Sequence, residues 1–232
     1  MRTALVTGGS RGIGKAIATE LYARNWQLFL VAQDPEHLAA AKADFANAVG
    51  TFAVDLGAGA AAADSVSEAF ASDSASLDLL VLGAGIFIEE SLSAVDENTF
   101  RRNMAVNLDA NVFLVKALLP SLSRGTKPRI IIIGSTAAYE PYPLVPTYGI
   151  AKWALRGFAQ NLRHELQGSR IGVSFVSPGG TLTDMWAGVD LAPNRLLDPH
   201  DIAIIVATIP ELSEQAVVDE VIVRPILGDI HE

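Results

Sequence analysis

Three side chains within one stretch of this sequence can move a proton and hold an oxygen: Ser135, Tyr148 and Lys152. The stretch opens with Ile130, Ile131, Ile132 and Ile133, an apolar β-branched run between Arg129 and Gly134 that predicts a strand covered on both faces. Ser135 therefore leaves that strand at its carboxyl end. From Thr147 onward, Ile150, Ala154, Leu155, Phe158, Leu162 and Leu166 recur at helical spacing, so Tyr148 and Lys152 stand one turn apart on one face. A free phenol titrates near ~10, and a neighbouring cation favours the phenolate, which predicts a value lowered toward the working range of an acid/base catalyst. Ser135 is then placed to bind the oxygen that Tyr148 protonates. Taken singly, Ser135 reads equally well as a strand-end cap and Lys152 as a solvated helix position.

The elements that must position these groups follow from the apolar pattern. Strands are expected at 2–7, 27–32, 51–54, 77–82, 130–133, 171–177 and 217–223. Helices are expected at 14–23, from Asp34-Pro35 to 49, from Ala58 through an alanine-rich segment, at 96–122, at 147–166 and from Asp198-Pro199 to 208. Pro178-Gly179-Gly180 is expected to stop the sixth strand. Strands that alternate with helices imply α/β architecture, here a doubly wound seven-stranded parallel sheet with helices on both faces and right-handed crossovers. This is a Rossmann fold, expected as one domain over 1–232 with a short substrate lid at 181–198. In such sheets ligands bind beyond the strand carboxyl ends at the switch in strand order. The loops at Gly8, Gly83, Ser135 and Pro178 all leave strands there, so four exits converge on one rim.

Composition narrows the chemistry. The 232 residues are 50% hydrophobic and 19% charged, suited to a covered sheet, and the net charge of −9 offers no basic field for nucleic acid or an anionic membrane. No cysteine is present, and His37, His164, His200 and His231 share no ligand spacing, so no metal site is expected. The first strand begins almost at Met1, and no apolar run approaches the ~18 residues of a membrane span. A cytoplasmic protein is the expectation.

Between the first strand and first helix lies Thr7-Gly8-Gly9-Ser10-Arg11-Gly12-Ile13-Gly14. It departs from G-x-G-x-x-G, yet glycines let backbone amides approach a pyrophosphate and the helix offers its free N–H groups and positive end. A dinucleotide is the ligand this placement predicts. With Ser135 thirteen residues before Tyr148, the Tyr148-x3-Lys152 pair, Val106-Asn107-Leu108 and Pro178-Gly179, the chain resembles the short-chain dehydrogenase/reductase family over essentially its whole length.

The resemblance implies hydride transfer with an NAD(P) cofactor. Tyr148 would be the general acid in reduction and the base in oxidation, and Lys152 would lower its pKa and hold the nicotinamide ribose. Ser135 would stabilise the carbonyl or alkoxide oxygen, and Asn107 would support a relay water; satisfying buried backbone groups is its plainer role. Gly8, Ser10, Arg11, Gly12, Ile13 and Gly14 would line the phosphates, Asp55 and Leu56 the adenine, and Gly83, Ala84 and Gly85 the middle of the cofactor. Pro178, Gly179, Thr181 and Thr183 would meet its nicotinamide end. The family commonly has an asparagine where Leu82-Gly83-Ala84-Gly85 has Gly83, which predicts a less rigid brace there.

An acid about 20 residues past the turn points to Asp34 and a free ribose hydroxyl, hence NAD, although capping the next helix explains Asp34 equally. In the family's register the NAD-selecting acid falls at Ala32 and an NADP-selecting arginine at Gln33, and this chain has neither. Arg11 resembles the basic residue of NADP-preferring members, and Gln33 does not repel phosphate, so NADP(H) is favoured over NAD(H). Met185, Trp186, Leu191 and Pro193 in the lid, with Tyr139, Tyr142 and Leu144 opposite, predict a small, largely uncharged carbonyl or secondary alcohol substrate. The resemblance further implies a homodimer or homotetramer built on the helices around Asn107 and Tyr148. The reading set against these is a non-catalytic NAD(P)-binding regulatory protein on the same fold. A dehydratase or epimerase is a third, for which the chain is short.

Overall fold

Leucine, isoleucine and valine runs without polar alternation become strands buried on both faces. In the computed structural model, which describes residues 2–45, 49–142, 145–186, 188–192 and 194–229, these are β1 (Thr3–Thr7), β2 (Gln27–Ala32), β3 (Val49–Ala53), β4 (Leu79–Leu82), β5 (Arg129–Ile133), β6 (Gly172–Pro178) and β7 (Glu220–Val223). Leu144, Pro193 and His231 lie outside the described residues. The seven strands form one sheet in the order β3-β2-β1-β4-β5-β6-β7, every neighbouring pair parallel. Strand order reverses between β1 and β4, where Thr7 lies opposite both Val31 and Leu82.

Helices α1 (Gly12–Ala23), α2 (Pro35–Ala43), α3 (Ala60–Asp73), α4 (Glu97–Met104), α5 (Ala110–Leu122), α6 (Pro146–Glu165) and α7 (Pro199–Thr208) cover the two faces. The pleat sends alternate strand residues to opposite sides. Leu5, Phe29, Leu80 and Ile132 pack with Val66 and Phe70 of α3, Leu114 and Leu118 of α5 and Leu155 of α6. Val6, Leu30, Val81 and Ile131 pack with Ile17 and Leu21 of α1 and Ile202 and Val206 of α7. Fold class and strand number match the sequence expectation.

Boundaries differ where long-range pairing overrides local pattern. Helix α2 stops at Ala43, and Val49, expected at its end, is drawn with Gly50 into the ladder opposite Leu28 and Phe29. The helix expected from Ala58 starts at Ala60, after a 3-10 turn (Leu56–Ala58) and Gly59 at φ +71°. Pro178 does not end the ladder before itself: it pairs with Val223, and the Gly179 N–H still donates to the Val223 carbonyl at 2.8 Å. The helix expected at 96–122 carries a π-turn over Ala105–Asp109 between α4 and α5. That continuous Glu97–Leu122 helix is, among the described residues, the one long and apolar enough to cross a membrane, and half of its apolar window is buried in the protein. Its Val106, Leu114, Leu118 and Leu122 are core residues, which accounts for the apolarity.

Candidate active site

The glycine turn is fastened to the exit of β4. Thr7 Oγ1 accepts the N–H groups of Gly83 (3.0 Å) and Ala84 (3.1 Å) and donates to the Val81 carbonyl. The asparagine absent from Leu82-Gly83-Ala84-Gly85 therefore does not leave this loop unbraced, since Thr7 ties it directly to β1. Gly8 sits at φ +69°, a conformation that disfavours a side chain. A Cβ built on Gly14 would overlap the Gly8 carbonyl oxygen, so α1 starts in backbone contact with the turn.

Helices α2, α4 and α7 are capped by Asp34, Asp96 and Asp198, whereas α1 has no side-chain cap and no acid in its first turn. Its first N–H groups and positive end are thus available to an anion.

On the β5 side, Ser135 accepts the Ala137 N–H at 3.1 Å, ending the strand and starting a 3-10 turn (Thr136–Ala138). Helix α6 follows, opened by Pro146 at its first position, and brings Tyr148 and Lys152 to the same rim. Lys152 Nζ is 5.4 Å from the Tyr148 ring centroid and donates to the Ile133 carbonyl at 3.3 Å. The Phe87 ring meets Tyr148 edge-on, centroids 5.1 Å apart. A Cβ built on Gly85 would lie 2.9 Å from Asn107 Oδ1 and 3.8 Å from Lys152 Nζ, which puts the β4 exit loop against both residues.

Burial governs the protonation of this pair. Lys152, 5% exposed, is brought down to about 8 by desolvation of its ammonium. Tyr148 is pushed up to about 12, chiefly by desolvation; a hydrogen bond with Ser135 lowers it and the charge of Tyr142 raises it. The expectation that Lys152 pulls the phenol down is therefore not met in the free protein. Its ammonium is directed to the Ile133 carbonyl, and the cost of a buried phenolate outweighs its field.

A pH dependence follows. Above about 8 the folded protein has released the Lys152 proton, while the unfolded chain keeps it up to ~10.4. The unfolded state then binds more protons, so stability rises with pH across that window, by on the order of 3 kcal/mol. Denaturant titrations at pH 7.5 and 10 are expected to show this rise in the parent and its loss in Lys152→Met.

Asn107 occupies the π-turn. Its Nδ2 donates to the Ile86 carbonyl (2.9 Å), its Oδ1 accepts the Ile86 N–H (3.2 Å), and its main-chain carbonyl accepts Asn111 Nδ2 (3.0 Å). It thus satisfies both partly buried backbone groups of Ile86 while standing beside Lys152.

At the far end of the rim, Leu56 is buried and Asp55 caps the turn after β3, accepting the Gly57 N–H (2.9 Å) and Arg102 Nη1 (2.9 Å). Burial raises the Asp55 carboxyl, but the Gly57 amide and Arg102 outweigh it and hold the group below its usual range. Asp34 accepts the Glu36 and His37 N–H groups as a helix cap, and Gln33 beside it is exposed. Arg11 is also exposed, 3.9 Å from the Asp184 carboxylate.

The segment after β6 folds back over the glycine turn: a Cβ on Gly12 would lie 3.2 Å from Thr183 Cγ2. Thr181 donates to the Gly179 carbonyl at 2.9 Å. Tyr139 does not face this segment. Its hydroxyl donates to Glu220 of β7 at 2.7 Å and Arg156 lies over its ring, so the carboxylate and guanidinium give the partly buried phenol its polar partners. Phe87 and Arg102 are site residues that no sequence pattern singled out, and the bracing role of Thr7 was not foreseen although it heads the glycine motif. For Thr7 its place directly before the glycines was the available signal. Among the described residues no group of three or more His, Asp or Glu could hold a metal ion.

The chain is 30% identical to sepiapterin reductase of Chlorobaculum tepidum, with 98% of each chain covered. Its structure resembles alcohol dehydrogenase from the archaeon Thermococcus sibiricus complexed with 5-hydroxy-NADP (TM-score 0.91, 25% identity, 100% of both chains). It also resembles L-sorbose reductase from Gluconobacter frateurii complexed with NADPH and L-sorbose (TM-score 0.85, 26% identity, 96% of this chain and 94% of that one). The profile of the short chain dehydrogenase family matches residues 2–193; the chain belongs to that family, and is an NAD(P)-dependent oxidoreductase acting on CH–OH and C=O groups.

Proposed function

We propose that the protein is an NADP(H)-dependent reductase of small, largely uncharged carbonyl compounds, or the corresponding alcohol dehydrogenase, working through Tyr148, Lys152, Ser135 and Asn107. The observation that carries this reading is the meeting of Ser135, Tyr148 and Lys152 at the strand exits, on the rim where α1 presents an uncapped end. The residues fit a dinucleotide. The free N–H groups of α1 suit its pyrophosphate, held by Gly8, Ser10, Gly12, Ile13 and Gly14, with Arg11 beside them facing the 2′-phosphate. Asp55 and Leu56 would hold adenine, Gly83, Ala84 and Gly85 the middle, and Pro178, Gly179, Thr181 and Thr183 the nicotinamide end, beneath a lid at 181–198.

When bound, the nicotinamide supplies or accepts the hydride. Ser135 holds the substrate oxygen, Tyr148 gives it a proton in reduction, and Lys152 places a positive charge beside the phenolate that remains. Asn107 would support a relay water from its place in the π-turn, beside Lys152. Exposed Phe87, Leu182 and Met185 at the rim support an uncharged substrate. A screen of simple ketones with NADPH tests the reading. Turnover is expected, whereas cofactor binding with every ketone left intact would point to a regulator.

Preference for NADP(H) over NAD(H) is supported by Arg11, whose partner is one exposed carboxylate at 3.9 Å, an interaction worth little in water. Gln33 brings no negative charge, and Asp34 is engaged as a cap. A charge-assisted hydrogen bond contributes ~1.5–3 kcal/mol, so Arg11→Ala is expected to raise the NADPH KM about 10- to 100-fold and leave that for NADH nearly unchanged.

Ile150 and Trp153, one turn apart on α6 and each 49% exposed, support a homodimer or homotetramer through the α4–α6 side. Light scattering on the purified chain separates this from a monomer. A cytoplasmic location belongs to the same proposal.

A further inference from the structure

A chain of side-chain hydrogen bonds runs from the residue before Tyr148 to Asn107. Glu90 Oε1 accepts from Thr147 Oγ1 (3.1 Å), Thr147 Oγ1 accepts from Asn103 Nδ2 (2.9 Å), and Asn103 Oδ1 accepts from Asn107 Nδ2 (2.6 Å). Asn103, Asn107 and Thr147 are all buried, whereas Glu90 is partly open to solvent. The polarity of the chain is dictated from that outer end. An ionised carboxylate only accepts, so the single Thr147 proton must point to Glu90 and the Thr147 oxygen must take a proton from Asn103. That turns the Asn103 carbonyl toward Asn107 and the Asn107 NH2 toward Asn103. The remaining Asn107 Oδ1 then faces the Ile86 N–H, and its second amide proton faces the Ile86 carbonyl. Reversing either amide would set donor against donor and acceptor against acceptor in a buried site, at about 1–3 kcal/mol for each group left unsatisfied.

We infer that Asn103, Thr147 and Glu90 are positioning residues that fix the orientation of Asn107 and, through Ile86, hold Phe87 edge-on to the Tyr148 ring. The inference rests on the assignment of Tyr148 and Asn107 to the reaction. Thr147 and Tyr148 are consecutive on α6, Asn103 and Asn107 lie one turn apart across the π-turn, and Ile86 to Glu90 belong to the loop after β4. Three separate segments around the phenol are thereby locked by one line of dipoles. Small displacements of a reacting group can cost on the order of 100-fold in rate, so the contribution should appear in kcat.

The test uses the intact protein with a ketone found in the screen. Thr147→Val keeps the shape and removes the hydroxyl, Thr147→Ser keeps the hydroxyl, and Glu90→Ala removes the outer acceptor from a partly exposed loop position where folding is not at stake. Thr147→Val and Glu90→Ala are expected to lower kcat by about 10- to 100-fold with NADPH affinity and ketone KM essentially unchanged, and Thr147→Ser to restore most of the rate. Parental kcat in Glu90→Ala, or a loss in Thr147→Ser equal to that in Thr147→Val, would overturn the inference; should Thr147→Val fail to fold, Glu90→Ala decides. Tyr148→Phe measured in parallel separates the levels. If it retains turnover, the assignment of the site fails; if it is inactive while Glu90→Ala is parental, the positioning role alone fails.

Discussion

Replacing Tyr148 with phenylalanine is expected to reduce kcat by about 10³-fold while the Kd for NADPH changes little. The substitution removes one oxygen and keeps the ring, so the edge-on contact with Phe87 and the packing of α6 persist. What disappears is the hydroxyl hydrogen-bonded to Ser135, the group proposed to deliver a proton to an oxygen held there. General acid catalysis by a positioned side chain contributes ~10²–10⁴-fold, and the Lys152 ammonium, directed to the Ile133 carbonyl, is not aimed to take the role over. Steady-state rates with a ketone and NADPH, beside a fluorescence titration of NADPH, read the two quantities separately. Retained turnover would remove Tyr148 from the acid/base role.

The second large effect is expected from Gly14→Ala, and here two opposing contributions must be weighed. Inside a helix, alanine is favoured over glycine by roughly 1 kcal/mol. At this position the new methyl would overlap the Gly8 carbonyl oxygen and come within 2.7 Å of the Gly8 carbonyl carbon, both backbone atoms that cannot rotate away. Relief requires α1 to move off the turn, and overpacking of this kind costs about 1–3 kcal/mol or more. The clash should win. A net loss near 2 kcal/mol corresponds to a Tm lower by ~4–8 °C for a chain of this size, with NADPH affinity weakened more than tenfold if the displaced groups hold the phosphates as proposed. Gly157→Ala on α6, where an added Cβ meets nothing within 4 Å, is the matched control and should be neutral or slightly stabilising. Equal Tm values for the two variants would show that the turn accommodates the methyl.

Much of this architecture was legible before any coordinates. Apolar runs such as Ile130 to Ile133 and glycines between a strand and a helix are local signals, and the spacing of Tyr148 and Lys152 is a property of helix geometry. These sufficed for the parallel sheet and for the convergence of Gly8, Gly83, Ser135 and Pro178 on its rim. The sequence could not show partners chosen across long separations. Arg102 reaches Asp55 over 47 positions, Tyr139 reaches Glu220 over 81, and Thr7 braces Gly83 over 76. None of these pairs leaves a periodic trace. The early start of β3 has the same origin, since Val49, expected at the end of α2, is claimed by the ladder opposite Leu28. Protonation was misjudged for a related reason: spacing shows that a cation is near a phenol but says nothing of how much water both have lost.

The position of β1 in the sheet has a consequence for how the molecule forms. Its flanks are β2 and β4, and the Thr3 N–H finds its acceptor on Asp78, 75 residues along the chain. During synthesis the segment bearing the glycine turn must remain half-paired until β4 has emerged, with one edge open to other chains. Non-local parallel pairing of this kind is slow, so the nucleotide-facing half of the rim is set late.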